Sequence, residues 1–469
     1  MQNAKLIFTG GAAQFLNFLV QNATAFGNIE VNKSGGTVTQ SGNGTSTGSF
    51  SINRGTFDLG STTLRVGGNF TVNGGTFTPN SGTVTLNGSG AQSVSSTAFT
   101  NFSIAKSAGT ATLSSSATTT GNFSLTGGTL SLGSKEFAVG GNFIVNGGVF
   151  SPGVATTTLN GAGAQSVSST TFGALTVNKS GGTATLTASV STTGNLNVIG
   201  GTLDAQSFDF TVGSAAVINN AGVVTSTSGS LGFSSTLNFG TTGVNALGTI
   251  SGFINVSSSF LGSSGTLDIG SATTTFYSDF TIGNAAATIY GRTGTLELRG
   301  DVNLFGILTI NTDSAKVILT GSGVNAYNIS GTGNKAFTDL EINKQGGSMS
   351  LSTNASTTRN LTLSGGALLL STKTMYVGGN FTVNGGTLTQ QTGTIALNGS
   401  GAQSVSSTLL YNLTIEKSGG TATFAGNTTS TNNFLLSGGT LSLGTNAYNV
   451  GGNFTVSGGT FTPGTGAVN

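Results

Sequence analysis

The 469-residue chain contains no cysteine, histidine or tryptophan, only 3 prolines, and 6% charged residues, against roughly 25% in an ordinary globular domain. Each absence excludes chemistry. Without histidine there is no imidazole base, no Ser-His pair and no imidazole metal ligand. Without cysteine there is no thiolate nucleophile, disulfide, zinc finger or iron–sulfur cluster. The 13 carboxylates are scattered along the chain and are all that remains for acid–base work. A net charge of +2 supplies no basic stripe for nucleic acid. No run approaches the uninterrupted apolar length of a membrane span, so no membrane insertion is expected. Residues Met1 to Val20, broken by Gly10, Gly11, Gln14 and Asn17, make a poor secretion signal and leave the export route open. The composition favours a structural material over an enzyme and calls for no cofactor.

What is abundant is glycine, 78 residues of it, and it is arranged in repeats. Val66-Gly67-Gly68-Asn69-Phe70 returns from Val139, Val377 and Val450, and Gly90-Ala91-Gln92-Ser93-Val94 returns from Gly163 and Gly401. Lys33, Lys106 and Lys179 are evenly spaced at an interval of 73, and Lys344 and Lys417 repeat that interval. Between Lys179 and Lys344 lie two such units and a remainder with room for about one inserted coil. The expected organisation is one continuous rod: regular units over 1–204, diverged units over 205–340, and regular units again over 341–469.

Inside a unit, short alternating runs are split by Asn-Gly-Gly, Thr-Gly-Gly and Asn-Gly-Ser-Gly, which form turns and accept positive φ. Residues 70–72, 76–78, 83–86, 92–94, 102–104, 110–113, 123–125, 129–132 and 137–139 read as strands. No helical period is present. Nine strands at three per coil give three coils of about 24 residues, so the fold class expected is an all-β, single-stranded parallel β-helix (β-solenoid) of about 19 coils in about six units. Four coils of about 18 per unit remain open. A stack of antiparallel sandwiches fits less well, because the repeat is shorter than a sandwich domain of about 100 residues.

In such a stack, residues of one phase form columns. Phe70, Phe123, Phe143, Phe381 and Phe454 are the expected core ladder, with Val72, Leu125 and Val145 beside them and Leu86, Leu113 and Leu132 on other faces. The asparagine before each phenylalanine (Asn69, Asn122, Asn142, Asn380, Asn453) is placed at a corner, as an amide ladder or as a plain turn residue. The lysines are read as an outward column, about 14 Å apart at three coils of about 4.8 Å. That exceeds a Debye length of about 8 Å, so they would act as separate solubilising charges.

Other motifs give way to plainer readings. The glycine strings lack the Gly-Lys-Ser/Thr of a phosphate loop. Asp is missing from the Gly-Gly motifs that a calcium β-roll needs, although a stray site near Asp58, Asp204 or Asp209 stays open. Asp204 and Asp209 are the closest Asp pair in sequence, without a basic partner, which argues against glycoside cleavage. Thr-x-Thr pairs such as Thr83/Thr85 and Thr110/Thr112 would bind ice only if they recurred on successive coils. Asn-x-Ser/Thr sequons such as Asn69-Phe70-Thr71 abound by composition, with glycan attachment open.

The ends resemble each other. Lys5 to Gln14 is similar to Thr83 to Gln92, and Phe461 to Asn469 is similar to Phe77 to Thr85, so a second copy would continue the coil. Leu6, Ile7, Phe8, Phe15, Phe454, Val456, Phe461 and Val468 are the residues expected at such a contact. Strings such as Gly68-Asn69-Phe70-Thr71-Val72-Asn73-Gly74-Gly75-Thr76-Phe77-Thr78-Pro79 resemble the β-helical repeats of bacterial surface and adhesin-like proteins, in the style of filamentous haemagglutinin and autotransporter passenger domains. The resemblance covers nearly the whole chain, most weakly 205–340. It implies an extracellular or cell-surface fibrous role and transfers no site residues. The expectation is a head-to-tail homopolymer of uncapped coils. The alternatives are an adhesin stalk or a fragment of a longer adhesin, and thirdly a polysaccharide-binding or ice-binding β-helix, with cell-surface or biofilm polysaccharide as a further partner.

Overall fold

The alternation of apolar and polar residues sets which side of each strand faces inward. In the strand Phe123–Ser131, Phe123, Leu125 and Leu130 are buried while Ser124 and Ser131 are half-buried. The buried set changes from odd to even numbers because the strand bends at Gly127-Gly128, where Gly128 takes φ +70°. The strand Asn101–Leu113 bends likewise at Gly109, φ +76°. A Cβ on Gly109 would stand 2.7 Å from the Ser89 carbonyl oxygen of the preceding coil, so both the dihedral and the packing require glycine. The runs 102–104 and 110–113 are therefore one bent strand rather than two, and so are 123–125 and 129–132.

The computed structural model describes residues 5–18, 25–95, 98–168, 171–227, 316–329, 336–389, 391–406 and 409–469, with shorter runs between 229 and 311. It is an all-β parallel β-solenoid of about 18 turns, and it divides into two compact units, Met1–Thr225 and Ser226–Asn469. Every strand pairing described is parallel. In the first unit Phe50 stacks on Phe70 and Phe70 on Val94. Phe102, Phe123, Phe143 and Val167 form a second column. In the second unit Leu340, Leu361, Phe381 and Val405 stack in the same way. So do Leu413, Phe434 and Phe454. The described strands of the diverged segment keep the parallel register, with Phe260, Phe280, Val302 and Tyr327 in line. The expected inserted coil falls partly outside the described residues.

The core is a file of phenylalanines and branched aliphatics. Phe50 and Phe70 lie 5.7 Å apart and nearly parallel, and Phe123 meets Phe137 and Phe143 at 5.0 Å each. Phe70, Phe123, Phe143 and Phe381 are fully buried, as are Leu86, Leu125 and Leu132, with Leu113 nearly so. Burying one such side chain contributes about 2 kcal/mol. Val72 and Val145 depart from the expected interior. They end their strands just before Asn-Gly-Gly and are half-buried.

The sequence repeat is not a whole number of coils, contrary to the expected three. The step from Thr83 to its partner Asn101 is shorter than the steps from Phe102 to Phe123 and from Phe123 to Phe143. Thr156, the counterpart of Thr83 one repeat later, pairs with Ala174 beside the column of Phe137, Thr157 and Leu175, whereas Thr83 and Asn101 lie beside the column of Phe102, Phe123 and Phe143. Equivalent residues of successive units therefore stand on different columns, and Lys33 and Lys106 do not share one.

Candidate functional site

The lysines expected as surface charges are among the most buried polar residues of the fold. Lys33, Lys106, Lys179, Lys344 and Lys417 are 1–4% exposed. Each lies within a long strand, just before its glycine bend, and turns its ammonium back onto backbone carbonyls of the preceding coil. Lys106 Nζ donates to Gly88 O at 2.6 Å, to Gly90 O at 2.8 Å and to Gln92 Oε1. Lys179 Nζ donates to Gly161 O at 2.7 Å, Gly163 O at 2.8 Å and Gln165 Oε1 at 2.6 Å. Lys33 bonds Ala12 O at 2.6 Å and Gln14 Oε1 at 2.7 Å, and Lys417 bonds Gly399 O at 2.8 Å and Gln403 Oε1. At Lys106 and Lys179 three donors meet three acceptors, which is the full capacity of an ammonium. Burial pushes the pKa of Lys106, Lys179, Lys344 and Lys417 below the usual lysine range, with Asp301 pulling that of Lys344 partly back.

The glutamine extends each contact by another coil. Gln92 Nε2 donates to Val66 O at 2.9 Å and to Gly68 O, and Gln165 Nε2 to Val139 O at 2.9 Å and Gly141 O at 2.5 Å. Gln403 repeats this with Val377 O at 2.8 Å and Gly379 O at 2.5 Å. One Lys–Gln clip thus ties three successive coils. The glutamine precedes its lysine by the same interval at 92/106, 165/179 and 403/417, a constant spacing that could have identified the pair from sequence.

The corner asparagines bond backbone rather than one another. Asn142 N–H donates to Asn122 Oδ1 at 2.8 Å and Asn122 N–H to Asn101 Oδ1 at 3.0 Å. Ser93 N–H reaches Asn69 Oδ1 and Ser166 N–H reaches Asn142 Oδ1, both at 2.8 Å. In the second unit Asn380 N–H donates to Asn360 Oδ1 at 2.9 Å, Ser404 N–H to Asn380 Oδ1 at 2.8 Å, and Asn453 N–H to Asn433 Oδ1 at 3.0 Å. Each carboxamide satisfies a backbone donor where the coil turns and the ladder lapses. Asn122→Ala is expected to lower unfolding free energy by about 1 kcal/mol, and Asn122→Asp to retain most of it, measured by urea unfolding.

The remaining expected sites are dispersed. Asp204 Oδ1 accepts from Gln206 N at 3.0 Å and Thr225 Oγ1 at 2.9 Å, a local cap. Asp209 N–H donates to Ser189 Oγ at 3.2 Å. Among the described residues no three of Asp and Glu gather as for a metal. On the neighbouring coil these Thr-x-Thr pairs meet threonine only at their first position: Thr37/Thr39 meets Thr56/Asp58, and Thr110/Thr112 meets Thr129/Ser131. A shallow groove of about 440 Å³ runs past Asn101, Ser103, Asn122 and Ser124.

Of the residues expected at a polymer contact, Ile7, Phe15, Val456 and Val468 are 40–70% exposed. Leu6, Phe454 and Phe461 are half-buried, and Phe8 is buried at 8%. Val456 stacks on buried Leu436, and Phe461 on buried Leu441. No protein-family model, curated protein or solved structure matches this chain.

Proposed function

We propose that the chain is a structural component of an extracellular filament, in which coils of successive copies stack end to end. The observation that supports this reading best is the coil-to-coil chemistry. The Lys–Gln clips reach backbone groups of the preceding coil, and the corner asparagines accept from backbone N–H groups of the following one, so one coil of this sequence is complementary to another. The outermost described coils show the same logic, with Val456 exposed at the phase that Leu436 fills inside. Any further coil of the same kind would cover it. A load along the stack is then borne by many parallel hydrogen bonds at once rather than by a few side-chain contacts.

Electron microscopy of the purified chain over a range of concentrations tests the proposal. Fibres that lengthen with concentration are expected, and Val456→Asp should stop their growth by placing a charge at the stacking edge. A chain that stays monomeric at high concentration, with normal circular dichroism, overturns the filament and leaves a stalk.

A further inference from the structure

One lysine site differs from the others in the group that faces it. Lys344, in the strand Asp339–Leu351, is 2% exposed and donates to Thr320 O at 2.8 Å. Where three of the other sites, Lys106, Lys179 and Lys417, present a glutamine with Nε2 on backbone carbonyls, this one presents Asn325, whose Oδ1 stands 2.5 Å from Lys344 Nζ. Asn325 Nδ2 donates not to a carbonyl but to the Asp301 carboxylate, at 3.2 Å. Asp301 Oδ1 also accepts from the Ala326 backbone N–H at 2.9 Å, which holds it over the amide. An amine, a carboxamide and a carboxylate therefore converge from three successive coils.

We propose that Lys344 and Asn325 form an intramolecular isopeptide bond, with Asp301 as the proton-transfer group. Nζ bonds to Asn325 Cγ and the Cγ–Nδ2 bond breaks. The amine gives up a proton as it acylates, and the departing Nδ2 takes one up through the carboxylate it already contacts, leaving as ammonia. In balance, an ammonium and a carboxamide become a secondary amide and an ammonium ion. Nothing is oxidised or reduced, and no co-reactant is needed. Burial favours the neutral, nucleophilic amine at Lys344. Contact through Oδ1 places the nitrogen beside the carbonyl carbon, so little motion separates the observed pose from attack. The glutamine sites lack the reaction for a visible reason: Gln92, Gln165 and Gln403 direct Nε2 at main-chain carbonyls, which transfer no proton. The bond would join adjacent coils covalently in a chain that has no cysteine to do so. The inference stands whether or not copies polymerise.

Intact-mass measurement and a tryptic map of the folded, full-length protein test it. Trypsin does not cleave after an acylated lysine, so the expected product is a branched species joining peptide 317–335 to an uncleaved 336–359, lighter than the two together by one ammonia. Asp301→Asn is expected to abolish the branched peptide with the circular dichroism spectrum unchanged. Asn325→Gln rebuilds the glutamine arrangement of the sibling sites, and is expected to fold without the cross-link. Separate 317–335, 336–344 and 345–359 peptides of unmodified mass from the folded wild-type chain overturn the proposal. So does an ammonia loss that leaves the peptides unjoined, as at an Asn-Gly site, or a branched peptide that persists in Asp301→Asn.

Discussion

Phe123→Ala is expected to destabilise the first unit by about 4 kcal/mol, the range for removing a fully buried aromatic. The ring is 0% exposed and touches Phe102 at 6.1 Å, Phe137 at 5.0 Å and Phe143 at 5.0 Å. Its neighbours above and below are fixed by the ladder, so the space cannot be closed by drawing the coils together. Since coils interact chiefly with their neighbours, the loss should appear as an early transition of the affected coils in guanidinium unfolding followed by hydrogen exchange. Val72→Ala, at a half-buried strand end, should cost much less. Equal effects at the two positions would mean that the phenylalanine file is not the core.

The second large effect concerns the clips. Gln92→Leu removes one of the three acceptors of a buried ammonium and the partner of Val66 O and Gly68 O in one step. Leaving the ammonium one acceptor short and two carbonyls without their Gln92 donor is expected to cost about 3 kcal/mol. Adding Lys106→Met to the same chain removes that ammonium, so the double variant should lose less than the sum of the two single losses. A double-mutant cycle by urea unfolding measures this. Simple additivity would show that lysine and glutamine act separately.

Much of this fold was legible in the sequence because the interior obeys a rule of period 2 and the turns are marked by glycine. The strands over 70–72, 76–78, 83–86, 92–94 and 137–139 coincide with the sequence reading. The bends at Gly109 and Gly128 look like breaks in the sequence, because a left-handed glycine inside a continuous strand carries the same local signal as a turn. Lysine misleads for a different reason. Composition treats a lone lysine as a surface charge, and only the carbonyls of the preceding coil, remote from it in sequence, decide otherwise. An outward lysine column requires the repeat to be a whole number of coils, which it is not. The Asp301–Asn325–Lys344 group lies in the most diverged stretch, where the repeat no longer aligns one residue with another, so nothing in the spacing announces it.

The central claim is that successive coils lie parallel and in register, and the absence of cysteine makes it directly measurable. Ser103 and Ser124 are register partners with hydroxyl oxygens 3.0 Å apart on a half-buried outer face. Adjacent strands about 4.8 Å apart suit a disulfide, whose Cα atoms sit roughly 4.4–6.8 Å apart. In the doubly substituted chain S103C/S124C, mild oxidation is predicted to give a complete intramolecular disulfide, while S103C/S131C, whose positions are not partners, stays reduced. Free thiols in the first chain after oxidation, or equal cross-linking in both, would contradict the stacked-coil account.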